Sequence, residues 1–231
     1  MKKLLLIGPG SSIIDFFPPT DDYTILSFAG TFDWFINNNI APDYWTFLDP
    51  NSVISIQDKM NGSFLTKVKS KTTLIYNDFQ GSDDFYKKGL STPRGLNWVI
   101  NSFGKTIFPK FKQYFKDSIS LPSQLNNNQL SLKTDNHCII THGPRPNTCK
   151  FSCFILPMIF HLFPQTKNID VIGFGDYSSP RAYSSSSADY SQYIQSFNII
   201  YPQIKIYLEE NNININFLNK DSYYKKLEWK K

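Results

Sequence analysis

The residues best suited to chemistry come at the start of the chain, where Leu4-Leu5-Leu6-Ile7 runs into Gly8-Pro9-Gly10-Ser11-Ser12. An apolar run that stops at Gly-Pro-Gly and resumes as Ser-Ser-Ile-Ile reads as a strand buried on both faces, a tight loop and a helix start. Gly8 and Gly10 let the backbone approach a ligand. Ser11 or Ser12 can cap the helix, whose first N–H groups and positive dipole end then face whatever lies above the strand. Phosphate suits such donors. The spacing is neither the dinucleotide fingerprint, which needs a third glycine, nor a P-loop, which needs Gly-Lys-Ser/Thr. An ordinary strand-to-helix turn accounts for the same residues. Asp49 is a second candidate, because it follows the apolar run 44–48 and precedes Pro50-Asn51. That puts a carboxylate at the carboxyl end of a strand, where open α/β sheets hold ligands, although Asp-Pro also opens plain turns.

Composition narrows the class. The 231 residues suit one α/β domain, 1–231, with a small lid, and suffice to bury a core. A hydrophobic share of 41% with 16% aromatic excludes an intrinsically disordered chain. Lys and Arg outnumber Asp and Glu by 24 to 19, a net charge of +5 concentrated at 105–116 and in Lys225-Lys226 and Lys230-Lys231. The surplus reads as solvated helix surface; an anionic substrate or a lipid surface would also suit it, and nucleic acid is not favoured. No stretch of about eighteen apolar residues offers a membrane span, and Lys2-Lys3 before a short apolar run is too little for a signal peptide. Cys138, Cys149 and Cys153 are odd in number and lack zinc-finger spacing, which predicts reduced thiols packed in the core of a cytoplasmic protein, with no metal.

Strand-like runs at 23–29, 44–48, 72–76, 138–141, 169–174 and 213–218 follow the opening strand. They alternate with helical stretches at 31–39, 52–59, 96–103, 109–116, 151–163 and 190–211. Pro157 predicts a kink or a late start in the fifth of these helices. Residues 120–133, rich in Asn and Gln, read as a surface loop. Thr148 is placed to cap the helix after His142-Gly143-Pro144-Arg145. Gly175-Asp176-Tyr177 leads from the strand at 169–174 into a serine-dense loop carrying Arg181, Tyr183 and Asp189. Alternating strands and helices with short links predict a three-layer, mostly parallel Rossmann-like α/β sheet. Residues 178–200 are expected to form a mobile lid that orders on ligand binding.

In this order the elements resemble those of the bacterial sialyltransferases of glycosyltransferase family 42, with the related flagellin-modifying and pterin pyrophosphokinase-like families. The resemblance lies in the Gly-x-Gly-x-Ser-type loop Gly8-Pro9-Gly10-Ser11-Ser12 and in Pro42-Asp43, its strand and Asp49-Pro50. It continues in the helix, strand and glycine-rich acidic turn between Thr148 and Tyr177, so that it covers most of the chain. It implies a GT-A-like fold and a nucleotide-activated donor, CMP-linked and sialic-acid-like. In those enzymes two tyrosines six residues apart hold the departing phosphate. Tyr177 and Tyr183 have that spacing, with Arg181 between them. Neutral O–H donors, backbone N–H groups and an arginine can take up charge on a leaving phosphate without a metal while the sugar becomes oxocarbenium-like. The resemblance thus implies substrate contacts at Gly8, Gly10, Ser11, Ser12, Gly30, Asp49, Asn51, Thr148, Asp176 and Arg181.

The chain departs from that family twice. Ala29-Gly30 stands where an asparagine follows the second strand, and no histidine follows His161 to serve as general base. Asp189 is the expected base toward the acceptor hydroxyl, ahead of Asp176 and His142. The leading expectation is a metal-independent glycosyltransferase with no cofactor beyond its nucleotide sugar, acting on a glycan or another hydroxyl acceptor. It would be cytoplasmic, with room for a peripheral seat at the inner membrane surface and for homo-oligomers. A pterin pyrophosphokinase-like enzyme would instead need ATP and Mg²⁺ held by carboxylates, for which Asp49 and Asp176 are available. A catalytically inactive binding protein on the same fold is the third class, consistent with the missing histidine.

Overall fold

The computed structural model describes residues 2–17, 21–47, 53, 56–77, 106–121, 155–175, 191–220 and 222–226. Its strands are β1 (Lys3–Ile7), β2 (Tyr23–Phe28), β3 (Tyr44–Thr46), β4 (Thr73–Asn77), β5 (Asp117–Leu121), β6 (Asn168–Ile172) and β7 (Asn214–Phe217). Its helices are α1 (Phe32–Asn37), α2 (Gly62–Lys71), α3 (Phe108–Lys112), α4 (Leu156–Leu162) and α5 (Ser191–Glu210). The strands form one all-parallel sheet in the order β5-β4-β3-β2-β1-β6-β7, a three-layer Rossmann-like α/β fold. The chain lays down β1 to β5 in one direction and then returns, placing β6 on the free side of β1. A parallel sheet covered on both faces calls for continuously apolar strands. Leu4 to Ile7 in β1 and Ile169 to Ile172 in β6 are accordingly buried throughout.

Two compact units are distinguished, residues 1–25 with 124–231 and residues 26–123. In the first, β1 pairs Leu5 with Asp170, and β6 pairs Asp170 with Asn216. Asp170 is only 8% exposed. A carboxylate is tolerable there because both oxygens are bonded: Tyr23 donates its hydroxyl to Oδ2 at 2.5 Å and the Asn216 amide donates to Oδ1 at 2.9 Å. The second unit is held by rings. Phe32 of α1 meets Trp45 of β3 edge-on at 5.0 Å, Phe64 of α2 at 5.5 Å, and Phe115 stacks on Trp45 at 5.7 Å. Such offset and edge-to-face pairs each contribute about 0.5–1.5 kcal/mol beyond area burial.

Several elements differ from the expectations. Helix α2 was not anticipated, because its sequence is dominated by Ser, Thr and Lys; only Phe64 and Val68, one turn apart, are buried. Strand β5 replaces the expected loop at Ser120 and Leu121. Its composition, Asp-Ser-Ile-Ser-Leu, carries little apolar signal, and an edge position beside β4 needs little. The helix expected at 109–116 is shorter and starts earlier, as α3, with Pro109 in its first turn. Pro157 likewise sits in the first turn of α4, where a missing N–H costs nothing. The stretch expected as a helix at 52–59 is helical at 53, 56 and 57. The strand expected at 138–141, the helix at 96–103 and the rest of the expected loop, 122–133, lie outside the described residues. Among those described, no helix is long and apolar enough to cross a membrane.

Candidate functional site

The order in which the chain adds strands to the sheet reverses between β1 and β6, where Ile7 pairs with Ile172 in parallel. Crevices beyond the carboxyl ends of strands at such a switch point are where open α/β sheets bind ligands. Both strands end here in Gly-x-Gly: Gly8-Pro9-Gly10 after β1 and Gly173-Phe174-Gly175 after β6. The two loops are bonded to each other. Gly8 donates its N–H to Ile172 O at 2.8 Å, Gly10 donates to Gly173 O at 2.8 Å, and Gly173 donates to Ser12 Oγ at 3.2 Å.

These bonds alter the expectation drawn from the first loop. The Gly8 and Gly10 N–H groups are already engaged, the first by the last carbonyl of β6 and the second by Gly173. Gly8 is required for another reason, since a Cβ there would fall 2.5 Å from the Gly173 carbonyl oxygen and 2.7 Å from the Phe174 ring. Ser11 and Ser12 open a single 3-10 turn, Ser11–Ile13, in place of the expected helix. Gly10 is its N-cap, with no side-chain capping bond. The Ser12 hydroxyl instead holds the β6 loop, and Ser11 remains half-exposed on the rim.

The far side of the β6 loop is held by the C-terminal segment. Phe174 O accepts from Ser222 Oγ at 2.8 Å and from Asn219 Nδ2 at 3.3 Å, and Gly175 O accepts the Tyr223 N–H at 2.9 Å. Gly173 and Gly175 lie in the left-handed region, at φ 75° and 78°, which favours glycine. Sequence reasoning missed Gly173, Ser222 and Tyr223. The signal was the Gly-x-Gly repeated after both strands, and no pattern in 219–224 marked the turn.

Gly30 is exposed in a 3-10 turn, Ala29–Thr31, after β2, beneath which Ser27 Oγ and Thr31 Oγ1 lie 2.6 Å apart. Asp49, Asn51, Thr148, Asp176, Tyr177, Arg181, Tyr183 and Asp189 lie outside the described residues, as do Cys138, His142, Cys149 and Cys153. The expected lid at 178–200 reaches into α5, which includes 191–200; its remainder is not described. Among the described residues no three His, Cys, Asp or Glu side chains converge as metal ligands would. The clearest perturbed proton lies away from the rim. The Tyr23 hydroxyl is pushed up to about 12, first by its bond to Asp170 and then by burial and nearby negative charge.

No protein-family model matches the chain, and comparison with curated proteins finds no match. Within the switch-point rim, main-chain amides and carbonyls are largely paired with one another, and the small polar side chains Ser11, Ser12 and Ser222 lie alongside.

Proposed function

We propose that the protein is a metal-independent glycosyltransferase that takes a sugar, sialic-acid-like and CMP-linked, from a nucleotide donor to a hydroxyl acceptor. The observation that carries this reading is the meeting of two Gly-x-Gly loops at the switch point of a parallel sheet. The tyrosine spacing supports the choice of donor: Tyr177 and Tyr183 stand six residues apart, shortly after Gly175 in the sequence. Their hydroxyls, with Arg181, would stabilise the leaving phosphate, and Asp189 would take the acceptor proton.

A specific observation favours one competitor. Gly8, Gly173 and Gly175 are all explained by close packing within the rim, as they would be in an inactive binding protein. A thermal-shift screen of CMP, UDP, GDP and ATP, with and without Mg²⁺, followed by donor hydrolysis, separates the readings. A nucleotide at 100 times its dissociation constant should stabilise by about 2.7 kcal/mol. CMP is expected to do so without Mg²⁺. Tyr177→Phe and Tyr183→Phe should each cut hydrolysis of the CMP-sugar roughly tenfold to a thousandfold, with donor affinity changing less. Stabilisation by ATP alone, dependent on Mg²⁺, would transfer the assignment to the pyrophosphokinase class. Binding with no hydrolysis of any nucleotide sugar would leave a binding protein.

A further inference from the structure

We propose that the C-terminal turn at 222–224 is a positioning element of the switch-point site, fixing the Gly173-Phe174-Gly175 loop on which ligand affinity depends. The inference rests on the nucleotide reading above and concerns residues that reading does not use. One short turn supplies donors to two successive carbonyls. Ser222 bonds Phe174 O at 2.8 Å, and the Tyr223 N–H bonds Gly175 O at 2.9 Å. Fixing consecutive carbonyls fixes the intervening peptide plane, and with it the direction in which the loop presents its remaining groups.

The contact is built for closeness. A Cβ on Gly175 would fall 2.5 Å from Ser222 Oγ and 2.9 Å from the Tyr224 ring, so only glycine admits the turn. The turn is also firmly seated: Ser222 is 0% exposed and Tyr224 1%, the latter packed on Phe217 at 5.5 Å. Its middle residue reaches elsewhere. The Tyr223 hydroxyl donates to Asn198 Oδ1 at 2.8 Å on α5. A single turn therefore grips the chain at Gly175 and again at Asn198, on either side of residues 176–190, which carry the tyrosines and arginine of the proposed reaction. Ser222 and Tyr223 touch no reacting atom on this account; they act through the loop.

The test is calorimetric titration of the full chain with CMP, beside melting temperatures of the ligand-free proteins. Ser222→Ala removes one donor while Asn219 still serves Phe174 O, and CMP affinity should fall about fivefold. Tyr223→Phe keeps the ring and removes the exposed hydroxyl bond to Asn198; its ligand-free melting temperature should stay at the parent value while affinity falls about twofold to threefold. A purely structural role predicts the reverse, lower melting temperatures with parental affinity. Should Ser222→Ala not fold, Tyr223→Phe decides by the same affinity criterion. Variants that bind CMP as the parent does overturn the inference and leave the nucleotide reading standing. A parent that binds none of CMP, UDP, GDP and ATP removes the site and the inference together.

Discussion

The glycine rim of the first unit and the aromatic core of the second solve the same problem, holding parallel strands in place, with opposite materials. At the rim, Gly8 and Gly173 approach so closely that no side-chain atom fits between them, and order comes from directional bonds between main-chain groups. In the aromatic core, Trp45 is fully buried among Phe32, Phe47, Phe111 and Phe115, and order comes from area. The rim should therefore be intolerant of added atoms and the core intolerant of removed ones.

The largest effect should come from adding one carbon at the rim. Gly173 and Gly62 both have positive φ, 75° and 54°, so Ala at either position carries the cost of a left-handed conformation, about 1–2 kcal/mol. Only at Gly173 does the new Cβ strike the main chain of Gly8; at Gly62 nothing lies within 4 Å. Gly173→Ala is expected to cost more than about 4 kcal/mol, and Gly62→Ala about 1 kcal/mol. Urea denaturation of both variants measures the difference. Equal losses would mean that the close approach of the two loops does not govern stability.

The core should answer to subtraction. Trp45→Ala is expected to cost about 3–5 kcal/mol, within the range for large buried aromatics. Trp45→Phe should cost less than about 1.5 kcal/mol, because the indole Nε1 is buried with no hydrogen-bond partner among the described residues. Removing it relieves an unsatisfied donor that itself costs about 1–3 kcal/mol. If Trp45→Phe proves as damaging as Trp45→Ala, the N–H is satisfied after all, and the contrast between an apolar core and a polar rim weakens.

The same contrast explains what could be read in the sequence. Elements that owe their place to apolar runs were legible: β1 and β6 from Leu4-Leu5-Leu6-Ile7 and Ile169 to Ile172, and α1 from Phe32 and Phe35. From them followed the parallel sheet. Elements placed by main-chain pairing were not: β5 has one buried residue, Leu121, and is held by β4, while the turn at 222–224 is placed by carbonyls 45 or more residues away. At the rim Gly8 and Gly10 were recognised and the partners of their N–H groups were not, because spacing alone cannot tell a free N–H from one bonded to a distant part of the chain. Gly10 shows this, since its partner, Gly173, lies 163 positions further along the chain.

The smallest effect, and the most selective, concerns the other directional contact of the first unit, Tyr23 on Asp170. In the folded protein the Tyr23 hydroxyl is raised from 10.0 to about 12, first because ionising it would break the bond to Asp170, then because burial disfavours the anion, and then because the anion would sit beside the negative charges of Asp170 and Asp22. A group whose folded value is raised contributes stability that is complete below its unfolded value and disappears as pH climbs through the folded one. The window is therefore pH 10 to 12. Tyr23→Phe keeps the ring and removes the bond, leaving Asp170 with Asn216 alone; at pH 8 it should cost about 1.5 kcal/mol, the lower end for a bond to a charged acceptor because Tyr23 is partly exposed. That gap between parent and variant should hold steady to about pH 9, narrow as pH passes 10 and be lost before pH 12. The remaining tyrosines are common to both proteins and largely cancel. Urea unfolding at pH 8, 10 and 11.5 measures the gap. A gap that stays constant across the series would show that the Tyr23 proton is not what joins β2 to β6.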